Sequence, residues 1–362
     1  MSFKVVFIRV IINGRAFTAC LNGVMRLFNK SLGIGLDIGS KKIKVARVKN
    51  SKQGIQVVGF DSIPTPPGTV EAGNILDPAR LGEELGQLVG KLKIKHHKVV
   101  SAVAGQQVYT RNIVMPRMSL EELKEAVSFQ AINFLPIPVE EASIDIFPLR
   151  ELEDDEGKKT EMFFVAVRRQ QVENLDIVCN LAGLNLVAVE IEPLAINRVL
   201  GRNNPAEVSA YLNIGASSSN FSVFKKNILV FYRSMSFGSS AVYEGLAMNA
   251  GDSDVNPEEI EFGQGNQFDY LTRDIIDDVT RSVEYYNMQN RGETEQRVEK
   301  IWLCGGGSRF KGLDSSLASG SGLEVEIANP LSELILPYEL SEEQERDLKH
   351  DFLIALGLAA RI

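Results

Sequence analysis

A strand that ends in Asp-x-Gly sets a carboxylate at the mouth of a hairpin, beside backbone N–H groups that can turn toward an anion. Leu36-Asp37-Ile38-Gly39-Ser40 has that form. Gly39 lacks the Cβ that would hold a phosphate away. Asp37 can hold Mg²⁺, directly or through the waters this cation keeps beside nucleotide phosphates. Ser40, Lys41 and Lys42 offer hydroxyl and ammonium donors to a β- or γ-phosphate. Taken alone, the motif is equally an ordinary hairpin with a solvated lysine pair, because short glycine motifs recur by chance.

A second copy changes that balance. Asn213-Ile214-Gly215-Ala216-Ser217-Ser218 repeats the first loop with Asn213 standing where the first has Asp37. An amide can bond a metal-bound water but brings no charge, so this side predicts a weaker grip on Mg²⁺. A third segment, Leu303-Cys304-Gly305-Gly306-Gly307-Ser308, reads as a strand running into a bare turn that can lie under an adenine or against an α-phosphate. Together the three predict ATP with Mg²⁺ as the ligand. The glycines lack the G-x-G-x-x-G spacing of a dinucleotide site, and nothing matches G-x-x-x-x-G-K-[ST].

These loops need a scaffold, and the chain supplies one twice. From Leu32 it reads LGIGLDIGSKKIKVARVKN, then GIQVVGFDSIP, then a helical stretch from Asp77 to Lys95. From Ser209 it reads SAYLNIGASSSNFSVFKKN, then ILVFYRSMSFG, then a helical stretch from Ser239 to Ala250. Each copy is a three-strand meander followed by a helix, which predicts a duplicated α/β domain with a ligand cleft between the halves. Between the copies lies a block of different character, 98–184. It reads as strands at Val99–Ala104 and Tyr109–Met115, and then a helix opened by a Ser119-x-x-Glu122 capping box. That helix carries Leu120, Leu123, Val127, Ala131 and Phe134 on one stripe, and Pro136 and Pro138 end it. Strands at Ser143–Leu149 and Met162–Val167 flank the charge run Glu151 to Glu161, which predicts a solvated loop. A helix from Arg169 to Ala182 closes the block. Beyond the second copy, Asn256 to Asn290 reads as largely helical, Lys300–Cys304 as a strand, Arg309 to Leu317 as a short helix and Asp347 to Arg361 as a final one.

Composition narrows the class. The 362 residues suit two domains. A net charge of −8 gives no general reason to expect nucleic acid, which is bound through clustered Lys and Arg. Cys20, Cys179 and Cys304 are odd in number and far apart, which predicts buried free thiols in a reducing compartment. His96, His97 and His350 have no ligand spacing. No window approaches the roughly 20 apolar residues of a membrane span. Residues 1–24 read as an extension outside the fold, from a start codon called too early, because Arg9 and Arg15 interrupt any signal-type core.

The trio Asp37-Ile38-Gly39, Asn213-Ile214-Gly215 and Gly305-Gly306-Gly307 resembles the phosphate-1, phosphate-2 and adenosine motifs of the actin, Hsp70 and sugar-kinase superfamily. Glu190 to Ala195 is similar to its first connecting helix, and Ala355 to Ala359 to its second. The inserted block is similar to the 1C subdomain shared by the FtsA and PilM families. Ile113-Val114-Met115-Pro116, the acidic helix after it and Phe134 to Glu141 resemble the type IV pilus assembly PilM family more closely. FtsA-like chains carry a further amphipathic membrane helix after the point where this sequence ends at Ile362.

The resemblance implies an α/β fold: a duplicated ribonuclease H-like (actin/Hsp70) architecture with an inserted α+β 1C subdomain. Domain 1 (1A) would take 25–97, 185–207 and 337–362, subdomain 1C 98–184, and domain 2 (2A/2B) 208–336. Asp37, Gly39, Ser40 and Lys41 would meet metal and phosphates, as would Gly215, Ala216 and Ser217. Gly306, Gly307 and Ser308 would meet the nucleoside. Glu192 matches the position that orients attacking water, the other reading being a helix-start acid facing its own dipole. Glu258, Glu259 and Glu261 lie where relatives contact ribose, but Phe262-Gly263 lacks the expected lysine. The implied role is a cytoplasmic ATP-binding adaptor in the pilus alignment complex, held at the inner membrane indirectly by docking the N-terminal peptide of PilN. It would be at most a slow ATPase. The alternative is an FtsA-like cell-division or filament-forming ATPase, and a small-molecule kinase lacks its Asp base.

Overall fold

The computed structural model describes residues 32–51, 53–118, 120–154, 157–202, 206–244, 261–262, 269–289, 297–336 and 339–362. The 1–24 extension, Cys20, Ser119, Glu258, Glu259 and Gly263 lie outside the described residues.

The first copy opens with an antiparallel meander, β1 (Leu32–Ile38), β2 (Lys42–Asn50) and β3 (Ile55–Pro64). A small ribbon follows, β4 (Val70–Glu71) and β5 (Asn74–Ile75), and then α1 (Pro78–Leu92). Asp77 caps α1 by accepting from the Arg80 N–H, Pro78 supplies a preset φ at its start, and Leu81, Leu85, Leu88 and Val89 face the core. β6 (Lys98–Val103) then lies parallel to β1. The inserted strands are β7 (Val108–Pro116), β8 (Ala142–Asp154) and β9 (Gly157–Arg168), with α2 (Leu120–Ala131) between the first two. α3 (Arg169–Leu181), β10 (Asn185–Ile191) and α4 (Glu192–Leu200) complete the first half.

The second copy is β11 (Val208–Ile214), β12 (Ser219–Lys225) and β13 (Ile228–Met235), then helix Asp269–Gln289, β14 (Lys300–Cys304), helix Leu313–Ser321 and β15 (Glu324–Ile327). Among the described residues the large sheet runs β10-β6-β1-β2-β3-β16, where β16 is Leu334–Ile335. The other large sheet runs β15-β14-β11-β12-β13. Five strands therefore match one for one, with the same antiparallel meander and the same two parallel strands beside it. The repeat visible in the sequence covers the meanders, and the structure extends it to β6 and β10.

That match redraws the inserted block. In the second copy a single helix, Leu313–Ser321, joins β14 to β15, so α3 is its counterpart between β6 and β10. The separate three-stranded sheet, β7-β9-β8, occupies only 108–168. The sequence boundary of 98–184 thus takes in β6 and α3, which belong with the large sheet. β6 reads KVVSAV because a parallel strand flanked on both sides is covered on both faces. The charge run is also largely strand: Glu153 pairs with Lys158 and Leu152 with Lys159. Opposite charges facing each other across a ribbon support pairing where apolar burial is absent.

β9 is covered on both faces. Met162, Phe164 and Ala166 join Val127 and Ala131 of α2 in a core of the insert, while Phe163, Val165 and Val167 face the core of domain 1. Leu123, Val127, Ala131 and Phe134 of the expected stripe pack on the insert's own sheet.

The chain returns at its carboxyl end to the first domain. The expected single helix is two, Glu342–His350 and Leu353–Ala359, and Ser341 starts the former with a reciprocal capping box to Gln344. The second is buried all round and lies across β1 and α4. Glycine permits this closeness: a Cβ on Gly35 would land on the Ala355 carbonyl oxygen, and one on Gly357 on that of Ala195. Gly357→Ala should therefore cost about 1–3 kcal/mol of stability. Gly90→Ala, on α1 with open space around it, should gain up to about 1 kcal/mol. Chemical denaturation of both variants reads the contrast, and equal effects would refute the packing account.

Candidate functional site

The two glycine hairpins face each other across the cleft between the domains, and they are built alike. Gly39 N–H donates to Lys42 O at 3.0 Å, and Gly215 N–H to Ser218 O at 3.0 Å. In each, the next segment ties back to the loop: the Thr65 hydroxyl donates to Gly39 O and the Ser239 N–H to Gly215 O. The cleft is lined by Asp37, Gly39, Ser40 and Lys41 on one wall and by Asn213, Gly215, Ala216 and Ser217 on the other. Glu192 and Gly306 line it as well. Gly307 and Ser308 stand behind that surface. Gly307 is packed on Ile214, and the buried Ser308 donates to Gly305 O.

The walls differ in charge, and the difference involves two residues on each side. Register places Lys44 opposite Asp37 and Asn220 opposite Asn213. Lys44 Nζ donates to Asp37 Oδ2 at 2.9 Å, with both groups largely buried. Burial works against the Lys44 ammonium, but Asp37, Asp351 and Glu192 outweigh it and raise its pKa. On the other wall Asn220 Nδ2 donates to Glu192 Oε2 at 2.7 Å, and Asn213 Nδ2 reaches the same oxygen at 3.4 Å. Glu192 is the first residue of α4, and its carboxyl accepts from Asn220 and Asn213 across the cleft. Its partners are amides of the second domain. Burial, and then the charge of Asp37, push its pKa up to about 8 against the pull of Lys44 and the two amides.

Several cleft residues escaped the motif reading. Lys44 and Asn220 each stand seven places after the motif residue they face, an offset that the repeat itself displays. Asp351 has no such signal. It sits at the junction of the two carboxyl-terminal helices, accepting from Lys42 at 3.2 Å and from Arg309 at 2.9 Å. One carboxylate thus ties the first hairpin to the turn after the glycines. Arg309 also holds Asp347, and His350 meets Ser308. Tyr243 completes that end, its phenol pushed up to about 12 by burial.

The site fits an anion with a small hard cation. Lys41, Lys42, Lys44 and Arg309 line it against Asp37 and Asp351, with Glu192 near neutral, in a chain whose net charge is −8. Serine hydroxyls supply further donors, and glycines without a Cβ let a phosphate come close. No group of three His, Cys, Asp or Glu that could hold a metal occurs among the described residues. A cation at Asp37 would complete its shell with water and phosphate oxygens, as Mg²⁺ does. Cys179 and Cys304 are buried free thiols whose pKa values burial raises.

Two sheets of matching order around an interdomain cleft, each with a glycine hairpin at its mouth, define an actin-like ATPase fold. The solved ethanolamine utilization protein EutJ of Carboxydothermus hydrogenoformans matches it at TM-score 0.52 and 14% identity, over 91% of this chain and 89% of that one. MreB5 of Spiroplasma citri bound to ADP matches at TM-score 0.50 and 12% identity, over 82% and 91%. A structure of a PilM-PilN type IV pilus biogenesis complex matches at TM-score 0.78 and 26% identity, over 92% of this chain and 99% of that one. Residues 35–362 match the family of type IV pilus assembly protein PilM, and the chain belongs to that family. No helix among the described residues is long and apolar enough to cross a membrane.

The raised Glu192 pKa has a pH consequence. A carboxyl whose pKa rises from its ordinary value near 4.5 to about 8 on folding stabilises the fold below pH 4.5. That contribution is lost as pH climbs through 8. Glu192→Gln keeps the neutral acceptor. Its stability should come within about 1 kcal/mol of the parent near pH 5 and exceed it by about 4 kcal/mol at pH 9. Parallel denaturation profiles at both pH values would disprove the shift.

Proposed function

We propose that this chain holds ATP in the interdomain cleft and serves type IV pilus assembly as an adaptor that docks the amino-terminal peptide of PilN. The observation that carries the docking is the likeness to the PilM-PilN complex along nearly all of the chain. Attachment to the inner membrane from the cytoplasmic side follows through that partner. In this reading Asp37 holds Mg²⁺, which neutralises phosphate charge when bound. Ser40, Lys41, Gly39 and Gly215 to Ser217 hold the phosphates, and the Gly305-Gly306 turn faces the nucleoside.

Hydrolysis is slow or incidental in this proposal. The charged pair of the first hairpin is replaced by two amides in the second, and both are engaged with Glu192. A water-orienting carboxylate needs its negative charge, and burial beside Asp37 works against that charge on Glu192 by raising its pKa to about 8. The arrangement grips phosphates on one wall and contributes neutral dipoles on the other, which suits retention more than turnover.

The test combines analysis of copurified nucleotide with single-turnover hydrolysis, with and without a synthetic PilN amino-terminal peptide. Expected are bound adenine nucleotide, peptide binding and turnover slower than ligand exchange. Rapid steady turnover would sink the adaptor reading, and no binding of the peptide would sink the docking. Lys44→Ala strips Asp37 of its cation and should weaken Mg-ATP by about ten-fold or more. Asn213→Asp puts a second carboxylate beside Glu192, so ATP binding should depend more steeply on Mg²⁺ concentration. An unchanged Mg²⁺ titration would remove Asn213 from the metal argument.

A further inference from the structure

Three atoms behind the cleft surface decide what its nucleoside end can recognise. Ser308 Oγ lies 2.6 Å from Gly305 O and 2.7 Å from His350 Nδ1. A carbonyl oxygen only accepts, so the one hydroxyl proton of Ser308 goes to Gly305. Oγ is then left to accept from the imidazole, which puts the ring proton on Nδ1. Burial, then the neighbouring cations Arg309 and Lys349, hold the His350 pKa down at about 4, so the ring is neutral. Nε2 therefore carries a bare lone pair, and it bonds to no partner among the described residues. His350 belongs to the cleft lining together with Gly306, Arg309, Tyr243 and Ile354.

We infer that His350 is a specificity-determining residue of this cleft, its Nε2 accepting a hydrogen bond from the exocyclic amine of an adenine base. The inference rests on the nucleotide reading above. A fixed acceptor discriminates sharply between ligands that differ in a donor. Adenine offers an N–H there, whereas hypoxanthine and guanine offer a carbonyl oxygen. Two acceptors face to face in a partly dry site leave both without a bond. Ser308 acts as a positioning residue, because without it either ring nitrogen can carry the proton.

The test is equilibrium binding of ATP, ITP and 2′-deoxy-ATP, each with Mg²⁺, to the full chain and to His350→Phe and Ser308→Ala. The parent should prefer ATP over ITP by at least about ten-fold and treat 2′-deoxy-ATP like ATP. His350→Phe should bring ATP and ITP to within about two-fold while still binding ITP, and Ser308→Ala should fall between. Equal ATP and ITP affinities in the parent, or a ratio unchanged in His350→Phe, would overturn the assignment. So would a preference against 2′-deoxy-ATP that disappears in His350→Phe, since Nε2 would then read the ribose. Imidazole ¹⁵N spectra of the parent supply a readout independent of variant folding. They should show the proton on Nδ1 and an Nε2 resonance that moves with ATP and not with ITP, and a proton on Nε2 would refute the geometry. A parent that binds none of the three nucleotides removes the nucleotide reading itself, a result distinct from binding without discrimination.

Discussion

The close crossing of helix Leu353–Ala359 over β1 and α4 is the constraint on which the cleft depends. Backbone meets backbone there because Gly35 and Gly357 carry no side chain at the points of contact. The crossing is pinned by Glu190, fully buried at the end of β10. It takes both terminal nitrogens of Arg198 at 2.8 and 2.9 Å and a third contact from Arg361 at 2.7 Å. Arg198 also donates to the Gly357 carbonyl. A buried carboxylate with one partner removed is costly, so this triad holds only while all its elements stay in place. α4 begins with Glu192, two residues after Glu190, and the carboxyl-terminal helices meet at Asp351, just before the crossing helix. The cleft therefore inherits its geometry from a joint that is covalently part of it.

Duplication then supplies two walls, and divergence makes them unequal. The hairpins share their turn hydrogen bond, their register and their tie-back from the next segment. What changed is the facing pair: aspartate and lysine on one side, two asparagines on the other. Replacing only one member would have left a buried charge alone. Replacing both removes the charged pair together and leaves the buried wall without an unpaired charge, and both amide nitrogens find Glu192 as acceptor across the domain boundary.

The sequence displays the site more readily than its frame. Asp37, Asn213 and the glycine turn declare themselves because local chemistry and an internal repeat coincide there. β6 reads as a strand, but its place in the large sheet does not show, because its partners β1 and β10 are distant along the chain. The ribbon Glu151 to Glu161 passed for a loop because polarity reads as solvent, although paired opposite charges sustain a strand. Asp351, Arg309 and Tyr243 reach the cleft from three separate segments. Sequence spacing says nothing about such meetings, and only the topology makes them.

The concentration of cationic side chains in the cleft leaves a different balance elsewhere. A chain of net charge −8 that turns a positive spot inward carries its acidic excess outside the cleft. Anionic lipid headgroups hold a surface potential of about −30 mV, which repels such an exterior. In the proposed adaptor role, residence at a bilayer has to come from shape-specific protein contacts strong enough to work against that field. Raised salt screens the repulsion, so it would favour the encounter instead of dissolving it.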